Sequence, residues 1–295
     1  MAKTAKKSSK AKVKSKTASA KATTKKSVSQ KVEAKASKID RSVTLQKIYK
    51  FNLFSAVAYL AFAALSVILV SKESVSMVLT HATKDELAST SGSVLGPAYR
   101  TIATVEIRYL LAVIFVISAV FALLLATRLR KSYEDGVKSS ISGLRWVFTG
   151  ITLALTLELT SIIGGVEDVM TLKLIAGLIL VTTILAWMAE RANKGSKKQY
   201  AAFGLSLFTG TIAWLPLIGS LVGTTLYGIE SFGWHVYALS GFLLVGLISI
   251  ALSQYRHVRD GVSAKGYLQL EGKYLSTDFI IKLGLFAIIL TALYK

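Results

Sequence analysis

The stretch LSTDFIIKLGLFAIILTAL, residues 275–293, decides how this chain reads. It is long and apolar enough to cross the roughly 30 Å hydrocarbon core of a bilayer, yet it carries Lys282 near its middle and Asp278 one helical turn earlier. A lone ammonium at that depth costs several kcal/mol, so an intramembrane charge marks a functional site by default. The i, i+4 spacing places both groups on one helix face. Two chemistries use such a pair: a lysine that forms a Schiff base with an aldehyde, and a lysine whose charge is simply neutralised by its partner.

Outward from that stretch the same pattern recurs. Of the 295 residues, 53% are hydrophobic and mean hydropathy is +0.54. The apolar residues fall in long blocks rather than short alternating runs: about 48–70, 107–127, 141–163, 172–189, 201–226, 234–252 and 275–293. Seven such blocks predict an all-α membrane protein, a bundle of seven transmembrane helices over residues 47–295. Pro97 is expected in a loop and Pro216 to kink the fifth block. With no cysteine, disulfides, thiolate metal sites and cysteine nucleophiles are excluded.

The net charge of +20 resembles a nucleic-acid signature until it is located. Residues 1–41 hold 13 lysines and Arg41 against Glu33 and Asp40, so +12 of the net +20 lies there. Built from Lys, Ala, Ser and Thr, residues 1–46 cannot bury a core and are predicted to be a disordered basic tail. About forty polar residues ahead of the first apolar block speak against a cleaved signal peptide. A solvated extension or a contact with lipid headgroups suits the tail better than nucleic acid.

Loop charge orients the bundle. The connections 128–140, 190–200 and 253–274 are rich in Lys and Arg, whereas the 71–106 loop and the turns with Glu167, Asp168 and Glu230 are balanced or acidic. The expected topology is therefore a multi-pass protein of the cell membrane with its N-terminus inside and C-terminus outside. At its length, the 71–106 loop is expected to have structure of its own over the outer mouth.

Seven helices, an inside N-terminus, a long first outer loop and a lysine in the last helix together resemble the heliorhodopsins, retinal proteins inverted relative to classical microbial rhodopsins. The motifs agree. Gln254-Tyr255, then Glu271, Tyr274 and Lys282, are similar to the family's Leu-Gln-Tyr end of helix 6 and Glu-x-x-Tyr opening of helix 7, with the retinal lysine eleven residues after the glutamate. Arg145-Trp146 resembles the Arg-Trp pair of helix 3. Gly164-Gly165 with Asp168 and Leu172 resembles the turn into helix 4, and Leu185-Ala186-Trp187-Met188-Ala189-Glu190 its end. The resemblance covers residues 48–294, and joint order and spacing carry it.

Two departures matter. Two residues after Arg145-Trp146, where the family has its counterion glutamate, stands Phe148; one turn before the lysine, where the family usually has Ser, stands Asp278, as in classical microbial rhodopsins. Tyr59 and Ala122 stand at the family's histidine positions, and residues 243–247 form an apolar run where the family has an Asn-containing segment. The resemblance implies all-trans retinal bound to Lys282 as a Schiff base, with Asp278 as the candidate counterion. It also implies a light-sensing role by photoisomerisation rather than strong ion pumping. A light-driven ion transporter or channel, and a seven-helix scaffold without retinal, remain open.

Arg145 and Glu271 are expected either to pair across the bundle or to snorkel separately. Glu158, about 20 Å along the same helix from Arg145, is expected as a hydrogen-bonded neutral acid facing the bundle or as a member of a proton relay. Trp214 and Tyr237 are candidates to flank a polyene, or else core aromatics, and His235 is expected at the interface. Gly204, Gly210, Gly219 and Gly223 are read as close-packing positions at a helix–helix or dimer interface, so a homodimer is expected, with a signalling partner at one membrane face. The three histidines are too dispersed for a metal site, no phosphate loop follows a strand, and no enzyme signature is present.

Overall fold

The computed structural model describes residues 43–84, 95–193, 199–260 and 264–294. The tail expected over 1–46 lies almost wholly outside the described residues. Residues 48–295 form a compact unit of their own.

Among the described residues, seven helices have the length and composition to cross a membrane: α1 (Val43–Leu69), α2 (Ile107–Ala126), α4 (Gly143–Ile163), α5 (Val169–Ala192), α6 (Ala201–Tyr227), α7 (Trp234–Asp260) and α8 (Ala264–Ala292). The bundle is as the apolar blocks require. Its last two helices extend beyond their blocks, so most of the 253–274 connection is helical and Glu271 sits inside α8. A short helix, α3 (Arg130–Lys138), lies in the connection between α2 and α4 and presents mostly polar residues.

At the opposite end, the long loop folds into the antiparallel hairpin β1 (Ser74–Lys84) and β2 (Leu95–Glu106), with an irregularity between Met77 and Val78. Pro97, expected in a loop, pairs with Ala82 inside β2. A two-stranded sheet has only edge strands, and an edge tolerates a residue that cannot donate. The hairpin is pinned to the α4–α5 turn: Val78 N donates to Glu167 O at 3.0 Å and Thr80 N to Asp168 Oδ1 at 3.1 Å. Asp168 is also the N-cap of α5, accepting from Thr171 N at 2.8 Å. Hydrogen bonds from the Thr171 backbone, with those from Thr80, hold the Asp168 carboxyl down at about 2.

Two large apolar clusters fill most of the interior, beside a small one of Ala189, Phe203 and Val258. Tyr59, Phe115 and Phe286 pack with Phe62 and Phe279 among α1, α2 and α8, with Phe62 and Phe286 stacked 4.9 Å apart. The other cluster is chiefly aliphatic, with Leu157, Ile175, Ile179, Leu217 and Leu243 contributed by α4 to α7. Close approach between helices depends on small residues. A Cβ at Gly150 of α4 would run into Thr183 Oγ1 of α5, and one at Gly246 of α7 would come 2.5 Å from Ile281 of α8. Of the helix-α6 glycines, only Gly210 meets a neighbour, Thr182 at 3.3 Å, while a Cβ on Gly204, Gly219 or Gly223 would meet open space. Close packing within this chain therefore accounts for only one of the four.

Candidate functional site

Helix α4 is the wall between two cavities. Its 3.6-residue period turns Arg145, Phe148 and Thr152 to one side and Trp146 and Leu153 to the other, while Thr149 lines both. A stripe of threonines runs along this helix. The hydroxyls of Thr152, Thr156 and Thr160 donate to the carbonyls of Phe148, Thr152 and Thr156, which satisfies them without leaving the helix.

On the first side, a cavity of about 50 Å³ lies among α1, α2, α4 and α8. Lys282 enters it from α8, only 3% exposed, ion-paired with Asp278 and donating to Thr152 Oγ1 at 3.3 Å. Tyr59 OH donates to the other Asp278 oxygen at 3.3 Å, and its ring centre lies 5.5 Å from Lys282 Nζ. Asn52 Nδ2 and Ser55 Oγ are also at this wall, buried and without a protein partner. Phe148 faces the same cavity and stacks on Phe121 with centroids 4.2 Å apart, so this α4 position offers an aromatic face rather than a charge. Asp278 is the carboxylate at the lysine.

On the second side, α4, α5, α6 and α7 enclose about 260 Å³ lined mainly by apolar groups, among them Ile179, Phe203, Trp214, Leu244 and Leu247. Trp214 thus lines this apolar cavity. Tyr237 does not. Three residues into α7, it is 40% exposed, hydrogen-bonded to Thr225 at 2.9 Å, with its ring near Phe232 at the hairpin end of the bundle. Its amphipathic ring suits the bundle end rather than the interior.

Beneath the Lys282 cavity, toward α3, is a buried charge cluster. Arg145 Nε donates to Glu271 at 2.8 Å, and its Nη2 to Glu190 at 2.6 Å and to Tyr267 OH at 3.3 Å. Tyr267 OH donates to Glu190 at 3.1 Å; Tyr133 OH at 2.6 Å and Ser142 Oγ at 3.2 Å donate to Glu271. The guanidinium is packed 4.3 Å from the Trp146 ring centre and 3.9 Å from that of Tyr274. Burial, then the nearby Glu271 charge, push the Tyr133 hydroxyl well up, so it remains a donor. Of the two readings of Arg145 and Glu271, pairing holds and separate snorkelling fails. Glu190, Tyr267, Tyr133 and Ser142 are members the sequence did not assign. A polar side chain one turn before Glu271 was the available signal for Tyr267.

Two further motif residues meet nearby. Tyr274 OH donates to Gln254 Oε1 at 2.8 Å while Gln254 Nε2 donates to Ala186 O at 3.0 Å, tying α8, α7 and α5 together. Glu158 differs from expectation. It is ion-paired with Lys173 at 2.8 Å, a lysine whose side chain is 67% exposed, because the start of α5 passes beside it at the hairpin end. It lines a separate cavity with Met77 and Leu110 rather than that of Lys282.

A seven-helix bundle whose last helix carries a buried lysine ion-paired with a half-buried carboxylate is a rhodopsin-type membrane fold. The chain matches the heliorhodopsin family over residues 48–291 and belongs to that family. Among solved structures it is similar to the transmembrane domain of Salpingoeca rosetta rhodopsin phosphodiesterase, at 13% identity and a TM-score of 0.55 over 88% of each chain, a likeness of fold. No curated protein matches it.

Proposed function

We propose that this protein is a retinal-binding photoreceptor of heliorhodopsin type, with Lys282 as the attachment residue and Asp278 as its counterion. The observation that carries the reading is the pairing of a buried amine with a neighbouring apolar cavity: Lys282 is the one buried lysine among the described residues, and Thr149 borders both its cavity and the 260 Å³ space beyond α4. The lining suits an elongated hydrocarbon, since ligand pockets are mostly apolar with few polar groups, and the volume lies just under the roughly 300 Å³ at which such pockets begin. Trp146 Nε1, buried and without an acceptor, belongs to a ring at the same wall. All-trans retinal, joined to Lys282 as a Schiff base, would supply visible absorption and photoisomerisation. Trp214 and Trp146 would confine it, Thr152 would hold the nitrogen end and Asp278 would neutralise its charge.

Sensing rather than strong pumping is favoured by the way the other acids are tied. Glu271 and Glu190 are engaged by Arg145, and Glu158 by Lys173, away from the Lys282 cavity. The proposed orientation puts α3 in the cytoplasm and the hairpin outside, in the cell membrane, by the excess of Lys and Arg in the connections at the α3 end. A homodimer that covers the open α6 glycines is part of the same proposal. The test is colour. Purified with all-trans retinal, the protein should show a visible band that Lys282→Ala abolishes. No band in the wild-type protein, or borohydride-trapped label on another lysine, ends the reading. Illumination of liposomes with a pH or current readout separates a sensor from a transporter.

A further inference from the structure

A further cavity, of about 180 Å³, lies at the hairpin end between α2, α4 and the start of α5, with Met77 of β1 beside it. Leu110, Val113, Leu155 and Leu172 make its lining largely hydrocarbon, and Glu158 and Lys173 are the only charged residues in that lining among the described residues. Both lie roughly 6–8 Å inside the ends of their helices at 1.5 Å per residue, within the apolar spans. Lys173 Nζ donates to Glu158 Oε1 at 2.8 Å. No described residue donates to Glu158 Oε2, and the side chain, 11% exposed, is not wholly closed off. A carboxylate oxygen accepts more than one hydrogen bond, and one left without a donor in apolar surroundings costs free energy that a ligand hydroxyl recovers. An ammonium has three donors, of which Lys173 gives one to Glu158. Val113 is exposed, so the cavity opens sideways toward the chains of a bilayer.

From an apolar space with a free acceptor and a free donor side by side, we infer that this cavity seats the hydroxyl end of an uncharged single-chain membrane lipid, a long-chain alcohol. A hydroxyl gives one proton and accepts another, so it donates to Glu158 Oε2 and accepts from Lys173 in the same place. A charged head group fits less well. Glu158 and Lys173 already balance, and a further ion here is buried without a partner. A plain hydrocarbon chain fills the space but leaves Oε2 unmatched. The volume is under the roughly 300 Å³ at which ligand pockets begin, so only the head of the molecule is enclosed and the rest of its chain runs out past Val113 along α2. Lys282 has no part in this site, since it lines a different cavity.

The test needs no chromophore, so it stands or falls apart from the retinal reading. The full chain is placed in phosphatidylcholine nanodiscs with tetradecanol that carries a diazirine a few carbons from the hydroxyl, or with the methyl ether of the same probe, which keeps the chain and loses the proton. After irradiation, labelled peptides are quantified by mass spectrometry with and without excess unlabelled tetradecanol. The alcohol should label α2 and α4 around Leu110 and Leu155 saturably, about tenfold more than the ether does. Glu158→Leu, which removes the acceptor, should bring the alcohol down to the level of the ether. Val113→Trp, which fills the mouth from an exposed position and leaves the Glu158–Lys173 pair in place, should abolish the saturable label, while Val116→Trp, exposed on α2 but outside the lining, should not. Equal labelling by alcohol and ether, unchanged labelling in Glu158→Leu, or equal loss in Val116→Trp overturns the site. Should Glu158→Leu fail to fold, the ratio of alcohol to ether in the wild type and the loss in Val113→Trp decide.

Discussion

The two cavities beside α4 are opposites. The one with Lys282 is small and holds the charged pair, with Asp278, Tyr59, Asn52, Ser55 and Thr152 among aromatic and aliphatic neighbours; the other is about five times larger, mostly apolar, and has no charged side chain in its lining among the described residues. A ligand that must be both bulky and charged at one point needs both, and one helix supplies the partition. The lesson is a division of labour: charge is held where there is no room, and room is made where there is no charge. Burying an ion is affordable only beside its partner, and an apolar space tolerates no stray polar group.

The sharpest way to break that comparison is to remove the charge from its side. Lys282→Ala should abolish the visible band of the retinal-treated protein entirely while leaving the apolar cavity intact, so that retinal absorbs only in the ultraviolet. An unaltered band would show that the amine and the space are unrelated.

Next in size is removal of the anion. A buried cation without its only nearby carboxylate escapes the cost by losing its proton. Asp278→Asn should therefore replace the visible band at neutral pH by an ultraviolet one. Phe148→Glu added to that variant should restore the visible form, because Phe148 faces the same cavity from α4. Spectra are taken in chloride-free buffer, and an unchanged neutral-pH band in Asp278→Asn would move the counterion elsewhere.

The buried cluster beneath should matter more for stability than for colour. Arg145→Gln leaves Glu190 and Glu271 without their cation, and breaking a buried pair costs about 3–5 kcal/mol. At about 2–4 °C per kcal/mol for a chain of this size, the thermal midpoint in detergent should fall by roughly 10 °C. Thr152→Ala, which removes the 3.3 Å hydrogen bond from Lys282 and an intrahelical one to the Phe148 carbonyl, should lower it by far less. Equal effects of the two would mean the cluster is not the structural anchor.

How legible all this was depends on distance along the chain. The seven spans were readable because each is a continuous apolar block, and Lys282 with Asp278 because one helical turn separates them. The pairing of Arg145 with Glu271 was readable only as one of two options, from their shared end of the bundle, since they stand 126 positions apart. Glu190 went unassigned because nothing local distinguishes a buried glutamate at a helix end from a snorkelling one. Tyr237 was misplaced for a related reason: an aromatic three residues into a helix is apolar by composition but lies at the bundle's rim. Neither cavity was visible at all, because volume arises from how four helices meet rather than from any one of them.

The smallest expected effect lies at the far end, where neither cavity reaches. Asp168 caps α5 and holds Thr80 of the hairpin with the same carboxylate. Its folded-state value of about 2 lies below the usual 3.8, because hydrogen bonds favour the ionised form. A depressed carboxyl contributes stability that is complete above the ordinary value and is lost as pH falls through the folded one. Docking of β1 on the α4–α5 turn should therefore be unchanged from neutral pH down to about 4 and loosen between there and about 2. Amide hydrogen exchange reads this directly. Protection at Val78 and Thr80 should fall over that window while protection within α4 and α8 persists. Asp168→Ala should reproduce the loss at neutral pH, costing about 1 kcal/mol for the missing cap, and Asp168→Asn, which still accepts from Thr171 N, should lose less and show no acid transition. Because the Lys282 cavity is walled by α1, α2, α4 and α8 and not by the hairpin, neither variant should move the visible band. A band that shifts with Asp168 would show that the hairpin end and the lysine are coupled after all.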